Sequence, residues 1–154
     1  MSCFIKKHPE YILEIFGKGS LQSELENLVH SLDMDDSIKF MGFSSDALLH
    51  IRTASAFVMS SKFEGLSNSM LESLCMGVPT ICTKCGGGGA EAVIRNGVNG
   101  ILVDIDDDIA ESEALNKIVE DKSYSNHLSN NALMLRQSLS LETIGNEWAN
   151  LLFK

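Results

Sequence analysis

Short apolar runs alternate with longer helical patterns along almost the whole chain, and this alternation restricts the fold more than any other feature. Runs of strand length lie near residues 11–16, 37–41, 55–60, 79–82 and 100–103. Helical patterns follow them near residues 20–33, 45–52, 67–76, 90–95 and 107–120, and two more lie near 123–138 and 141–153. This alternation predicts an α/β fold with a Rossmann-like parallel sheet of about five strands and helices on both faces.

Composition narrows the class of protein. The 154 residues, of which 44% are hydrophobic, fit one domain with one core. No apolar run is long enough to span a membrane, and we recognise no secretory signal in residues 1–9. The net charge of −9 argues against nucleic acid or an anionic membrane face as a partner. We therefore expect a cytoplasmic protein whose partners are small molecules.

The segment FEGLSNSMLESLCMGVP, residues 63–79, places Glu64 and Glu72 around the predicted start of a helix. Gly65 permits a tight turn, and the Ser/Asn-rich stretch 67–69 contains residue types that cap helices through side-chain oxygens. A helix start carries unpaired N–H donors and a partial positive charge, which favour a phosphate. Carboxylates accept hydrogen bonds from hydroxyls, so the two glutamates suit a polyhydroxylated ligand. The alternative is that both are solvated charges near a helix end.

Four consecutive glycines, Gly86 to Gly89, follow the next strand and precede a helix. Glycine lets backbone amides approach a ligand closely. Two consecutive strand–loop–helix units would bring both loops to the carboxyl edge of one parallel sheet, where open α/β sheets bind ligands. A flexible surface linker is the alternative, but the apolar strand before the glycines and the helix after them favour a binding turn.

The order of these motifs resembles the retaining glycosyltransferases of the GT-B fold, of the group 1 or family 4 type. That family has E-x7-E at a helix start, then G-x-P, a glycine turn, and N-G-x-x-G before a last strand. This chain shows SAFVMSSKFEGLSNSMLES, MGVPTICT, CGGGGAEAV and RNGVNGILV in that order. The upstream segments YILEIFGKGS and IKFMGF resemble the family's second and third strands. The segment CGGGGAE is most similar to the branch that builds capsule, exopolysaccharide and lipid-linked glycans.

The resemblance implies a role for each matching residue. Glu64 matches the glutamate that contacts the donor sugar near the reacting carbon, to which a catalytic role is assigned in some members. Glu72 matches the glutamate that binds the ribose hydroxyls. Leu66 and Ser67 match residues whose backbone amides hold the diphosphate. The other donor-binding positions are the turn against diphosphate and sugar (Gly87, Gly88, Gly89), the turn after an early strand (Gly17, Gly19) and the segment that borders the base (Met41, Gly42, Phe43).

Three departures from the family pattern limit what is expected of this chain. Ala92 stands where the family usually has a glutamate, with Glu91 one place earlier. The family's diphosphate-neutralising arginine and lysine have no counterpart, since neither Lys6 nor Lys7 matches them. We also expect the first strand and the N-terminal acceptor domain to be absent, so that residues 1–154 form one donor-binding domain truncated at its N-terminus. The sheet then either closes up or keeps an unpaired edge.

The resemblance implies that the intact protein transfers a hexose or N-acetylhexosamine from a nucleotide diphosphate sugar to a growing glycan or lipid-linked acceptor. Uridine is the expected base, and membrane contact at the inner face is expected through the missing domain. The fragment alone is expected to bind the donor without catalysing transfer. The alternatives are a nucleotide-sugar epimerase of the same fold and a non-catalytic nucleotide-binding module.

We expect neither a metal nor another cofactor. Cys82-x-x-Cys85 has the spacing of a redox or zinc site, but no second Cys/His pair lies at a suitable distance and Cys82 falls in a buried strand. The acidic run from Asp104 precedes a helix that Asp107 or Asp108 would cap.

The last predicted helix has an apolar stripe. Ile144, Trp148, Leu151 and Leu152 recur at helical spacing along it. In the family this helix reaches the other domain. We therefore expect its exposed face to support self-association in this chain.

Overall fold

A computed structural model describes residues 1–153 as two compact units. Unit 1 comprises residues 1–50, and unit 2 begins at Ile51. Unit 1 contains α1 (Ser2–Lys7), β1 (Leu13–Phe16), α2 (Gln22–Ser31), β2 (Ile38–Gly42) and the first part of α3 (Ala47–Thr53). Unit 2 contains β3 (Phe57–Met59), α4 (Asn68–Cys75), β4 (Thr80–Thr83), α5 (Gly89–Val93), β5 (Ile101–Val103), α6 (Asp108–Glu120), α7 (Lys122–Leu133), α8 (Leu135–Ser138) and α9 (Leu141–Leu152).

Unit 1 is built on a two-stranded parallel sheet. β1 pairs with β2 from Leu13 opposite Ile38 to Phe16 opposite Gly42, with a bulge between Ile15 and Phe16. The hydrophobic side chains buried in this unit are Phe4, Ile5, Val29 and Met34. Leucines 21, 25, 28 and 32 lie at the three- and four-residue spacing of one helix face, yet each is at least 43% exposed. The core of unit 1 is therefore small.

Unit 2 is built on three parallel strands in the order β3-β4-β5. The central strand β4, with the sequence TICT, is buried along its whole length, which suits β-branched residues on a covered sheet. Met70 and Leu74 of α4 pack with Cys82 of β4, and the same cluster includes Ala90, Ile94 and Ala132. The helices that follow β3 and β4 are thus fixed to the sheet by one shared core.

The α/β class and the five parallel strands are confirmed. The expectation of one continuous sheet is corrected, since the strands described here form one sheet of two and one of three. Among residues 1–153, β4 has two strand neighbours and each of the other four strands has one. A strand edge without a partner leaves backbone donors and acceptors available on that side.

Most helix boundaries follow local signals. Asp107 caps α6 as expected, since its carboxylate accepts a hydrogen bond from the amide of Ala110 at 2.9 Å. Asp121 caps α7 in the same way, through the amide of Tyr124. The sequence patterns missed the short helix α1. Within residues 1–153, no helix combines the length and the apolar character needed to cross a bilayer.

Candidate functional site

The loops that follow β3 and β4 are joined along their length, and this contact is the basis of the candidate site in unit 2. The amide of Glu64 donates to the carbonyl of Gly86 at 2.9 Å, and the amide of Gly86 reaches the carbonyl of Lys62 at 3.4 Å. Phe63 and Gly86 form a parallel bridge beyond the ends of the strands. The two loops singled out by the sequence therefore share one edge of the three-stranded sheet, at the carboxyl ends of its strands.

Glycine makes this approach possible. A Cβ atom at Gly87 would lie 2.3 Å from the carbonyl oxygen of Glu64, and one at Gly89 would lie 1.9 Å from the carbonyl oxygen of Gly65. Gly87 and Gly88 also have positive φ angles of 106° and 67°, which L side chains rarely adopt. A Cβ at Gly88 would meet no atom within 4 Å. The turn thus lies against the backbone of residues 64 and 65 through Gly87 and Gly89, while Gly88 is needed for its conformation.

The start of α4 offers unpaired donors beside this turn. Ser67 is the N-cap residue, as its position in the sequence predicts, but its side chain makes no capping hydrogen bond. Its hydroxyl lies instead 3.0 Å from that of Ser69. The helix therefore begins at the expected place, but the expected side-chain hydrogen bond at its start is absent. The first amides of a helix that lacks such a bond remain available to water or to an anion.

The two glutamates occupy different places relative to the helix. Glu64 lies in the loop before α4 and is half-buried, and Leu66 beside it is exposed. Glu72 is exposed in the second turn of α4, on the side away from the buried Met70 and Leu74. Helical side chains tilt toward the N-terminus, so Glu72 lies over the first turn. Among residues 1–153, none makes a hydrogen bond or ion pair with the Glu64 carboxylate.

The other residues predicted to bind the donor lie in unit 1. The amide of Gly17 donates to the carbonyl of Gly42 at 2.8 Å, so the ends of β1 and β2 are joined. Both glycines have positive φ angles, of 119° and 67°. Met41 is 40% exposed and Phe43 is 80% exposed. Gly19 lies two residues after Gly17, and a Cβ there would meet nothing within 4 Å.

An acidic cleft of about 220 Å³ lies at the same sheet edge in unit 2, on the side of β5. It is lined by Ser60, Thr83, Val103, Asp104, Asp106, Asp107, Asp108 and Glu111. Burial raises the pKa of the Glu111 carboxyl, and the nearby Asp108 raises it further. This concentration of carboxylates disfavours a diphosphate inside the cleft. An anion would therefore find the start of α4 more favourable than the cleft.

Two lysines beside the joined loops already have partners. Lys62 is 2.8 Å from a carboxylate oxygen of Asp106, and Lys84 is 2.9 Å from one of Asp104. Sequence reasoning missed these pairs. The only available signal was the position of each lysine soon after a strand, Lys84 directly after β4 and Lys62 three residues after the end of β3. Asp104 and Asp106 of the acidic run are thus each engaged by a cation of the chain itself.

The cysteines of the Cys82-x-x-Cys85 motif are both buried. Burial raises the pKa of the Cys82 thiol to about 12, and the nearby Cys85 adds to this effect. The thiol therefore stays protonated at neutral pH and is a weak nucleophile and metal ligand. Within residues 1–153 no group of three or more His, Cys, Asp or Glu side chains is arranged to hold a metal ion.

Comparison with known families identifies the chain. Residues 4–134 match the family model described as glycosyl transferases group 1. The chain belongs to the group 1 glycosyl transferases. A relative within this family is the lipopolysaccharide core biosynthesis glycosyltransferase LpsE of Rhizobium meliloti, which is 31% identical over 125 residues, or 81% of this chain and 36% of LpsE. Another is an alpha-1,4-N-acetyl-D-galactosaminyltransferase of Campylobacter jejuni, 30% identical over 142 residues, or 92% of this chain and 39% of the relative.

A solved structure has the same fold as this group 1 chain. The complex of Anabaena Alr3699/HepE with UDP superposes with a TM-score of 0.86 at 23% identity, and the match covers 94% of this chain and 41% of HepE. HepE was also solved in complex with UDP-glucose. The chain thus spans less than half of the length of each of these proteins. The assignment to group 1 is confirmed, while the retaining mechanism and the residue roles that the resemblance implied remain predictions.

Proposed function

We propose that this chain is the donor-binding part of a retaining glycosyltransferase that transfers a hexose or N-acetylhexosamine from a UDP-sugar to a growing glycan. The observation that carries the proposal is the contact of the glycine turn with the backbone of Glu64 and Gly65, directly before the start of α4. This contact supports one binding edge made of the turn, the first amides of α4 and two glutamates. Membership in the group 1 family and the UDP complexes of HepE support the nucleotide.

Each residue in unit 2 has a chemical task in this proposal. The amides of Leu66 and Ser67 bind the diphosphate, because a helix start combines free donors with a partial positive charge. Gly87, Gly88 and Gly89 lie against diphosphate and sugar. Glu72 accepts hydrogen bonds from the ribose hydroxyls, and Glu64 meets the donor sugar near the reacting carbon.

We propose further nucleotide-binding roles for residues of unit 1, taken by itself. Gly17 and Gly19 form the turn after an early strand, and Met41, Gly42 and Phe43 border the base. We propose no metal and no further cofactor, since backbone dipoles already aimed at the leaving diphosphate stabilise the charge that develops on it. The acceptor is a glycan or a lipid-linked glycan, bound by a domain outside these residues.

The expected affinity of the chain for UDP is modest. A hydrogen bond to a charged group contributes about 1.5–3 kcal/mol, so two or three backbone donors supply about 4–6 kcal/mol. This range corresponds to dissociation constants from about 1 mM down to about 0.04 mM. We therefore expect the chain by itself to bind nucleotide without catalysing transfer.

The proposal is tested by NMR titration of the chain with UDP and with UDP-glucose. Both ligands are expected to shift the amide signals of Glu72 and Gly88. Glu72→Gln should weaken UDP binding about tenfold, since it replaces a charged acceptor of the ribose hydroxyls, whereas Glu64→Gln should weaken only UDP-glucose. Glu113→Gln, an exposed helical glutamate of α6, is the matched control and should bind both ligands normally. Absence of shifts at high millimolar ligand would contradict the proposal.

One observation favours a second candidate, a nucleotide-binding module without catalysis. Lys62 and Lys84 are the cations nearest in sequence to the two loops, and each is paired with an aspartate. No cation from these loops is therefore free to neutralise a leaving diphosphate. Joining the chain to an acceptor domain of a group 1 relative separates the candidates, because sugar transfer that is lost on Glu64→Ala supports the transferase.

A further inference from the structure

The pairing of β3 with β4 continues past the strand ends through one side chain. The regular register ends with Met59 opposite Cys82. The next residue of β4, Thr83, donates its hydroxyl to the carbonyl of Ser61 at 2.5 Å and lies 3.5 Å from the carbonyl of Met59. Backbone bonds resume only at Gly86, which accepts from the amide of Glu64. Thr83 thus bridges the interval between the strand and the loop that carries Glu64.

The hydroxyl of Thr83 has no substitute in this position. Thr83 is 4% exposed, so water does not readily replace a lost hydrogen bond there. The buried Cys85 also approaches this loop, but its thiol is 3.9 Å from the carbonyl of Glu64 and is a weak donor. Removing one partner of a buried hydrogen bond leaves the other unsatisfied, and the backbone moves to find a new one. The position of the loop backbone at Ser61 therefore depends mainly on the hydrogen bond from Thr83.

The position of the Glu64 carboxylate depends on that backbone. Within residues 1–153 no hydrogen bond or ion pair holds the carboxylate itself, so the backbone path of residues 61–64 directs it. We propose that Thr83 is a positioning residue for Glu64, which sets where the carboxylate meets the donor sugar. This inference rests on the proposed function, in which Glu64 contacts the sugar.

The consequence is a selective effect on ligands. The proposed contact to the ribose comes from Glu72 in α4. Those to the diphosphate come from the amides of Leu66 and Ser67 and from the glycine turn, whereas the sugar is met by Glu64, which is closer in sequence to Ser61. Thr83→Val keeps the shape of the side chain and removes the hydroxyl. It should weaken UDP-glucose binding about tenfold and change UDP binding less than twofold. Thr83→Ser keeps the hydroxyl, so this variant should bind UDP-glucose within twofold of the unchanged chain.

The experiment measures the dissociation constants of UDP and UDP-glucose by calorimetry for the full chain and both variants, each checked by circular dichroism. A double variant with Glu64→Gln adds a second readout, because Thr83→Val should then have no further effect on UDP-glucose. If Thr83→Val does not fold, Thr83→Cys, a weaker donor of similar size, replaces it and should show an intermediate loss. Equal loss of both ligands, or loss of neither, would overturn the positioning role. Failure of the unchanged chain to bind UDP would instead overturn the proposed function, and this inference with it.

Discussion

Gly89 occupies a position in unit 2 where a side chain has no room. A Cβ there would lie 1.9 Å from the carbonyl oxygen of Gly65 and 2.7 Å from the amide nitrogen of Leu66. Both atoms belong to backbone, so relief requires a shift of the whole loop rather than a change of rotamer. Gly89→Ala is therefore expected to reduce the free energy of unfolding by about 3 kcal/mol, at the upper end of overpacking effects, and to abolish UDP binding.

Urea denaturation and UDP titration measure both effects. Gly145→Ala is the matched control, because a Cβ at Gly145 meets nothing within 4 Å. Since alanine is the better helix former, this control should raise stability by up to about 1 kcal/mol. If Gly89→Ala is as stable as the unchanged chain, the two loops separate easily. That result would contradict the close contact between the glycine turn and residues 65 and 66.

The sequence predicted the glycine turn, but it did not show why each position in the turn requires glycine. Four adjacent glycines have the same local signal. Gly89 differs from Gly88 in the close approach of residues 65 and 66, and Gly88 differs from Gly89 in its positive φ angle. A capping residue was also expected within residues 67–69, and Ser67 takes this place, but the expected side-chain bond does not form because its hydroxyl lies beside that of Ser69. Local residue type predicts where a turn or a helix begins, whereas the atom that satisfies each donor depends on neighbours from other segments.

Elements with a strong local pattern were predicted within a few residues of their bounds. The helix near residues 107–120 is observed as Asp108–Glu120, and the strand near 79–82 as Thr80–Thr83. The division of the strands between two sheets was not predicted. Which strands share a sheet depends on which segments pair with each other. Apolar periodicity describes one segment at a time and contains no information on that choice.

The apolar face of α9 leads to a prediction at this scale. Trp148, Leu151 and Leu152 are 58%, 68% and 66% exposed. Burying such a face against a second copy removes apolar surface from water, at about 25 cal/mol for each Å². We expect the chain to self-associate at high micromolar concentration, with a doubled mass in light scattering and a blue shift of the emission of its single tryptophan.

Leu151→Glu should return the chain to a monomer, because it places a charge in the proposed contact. Asn146→Glu adds the same charge at an exposed position of α9 outside the stripe and should leave association unchanged. A constant mass across the concentration range, with unshifted tryptophan emission, would count against this use of α9.

At the scale of the whole molecule, the two units differ in how much core each contains. Of the nineteen hydrophobic residues buried within residues 1–153, four belong to unit 1 and fifteen belong to unit 2. A two-stranded sheet is marginally stable unless further strands or helices cover it. Unit 1 also leaves the leucines of α2 exposed. The binding edge of unit 2 thus rests on the larger core, and the predicted residues of unit 1 rest on the smaller one.

This difference predicts that unit 1 opens more readily than unit 2, which native-state hydrogen exchange measures. The amides of Gly17 and Lys84 form a matched pair, since each donates at 2.8 Å to a neighbouring strand at the carboxyl end of its own. Gly17 is expected to exchange at least about tenfold faster, which corresponds to about 1.4 kcal/mol less protection. Val29→Ala should speed exchange at Gly17 and leave Lys84 unchanged, because Val29 belongs to the core of unit 1. Equal protection of the two amides, with both responding to Val29→Ala, would mean that the chain opens as one cooperative body.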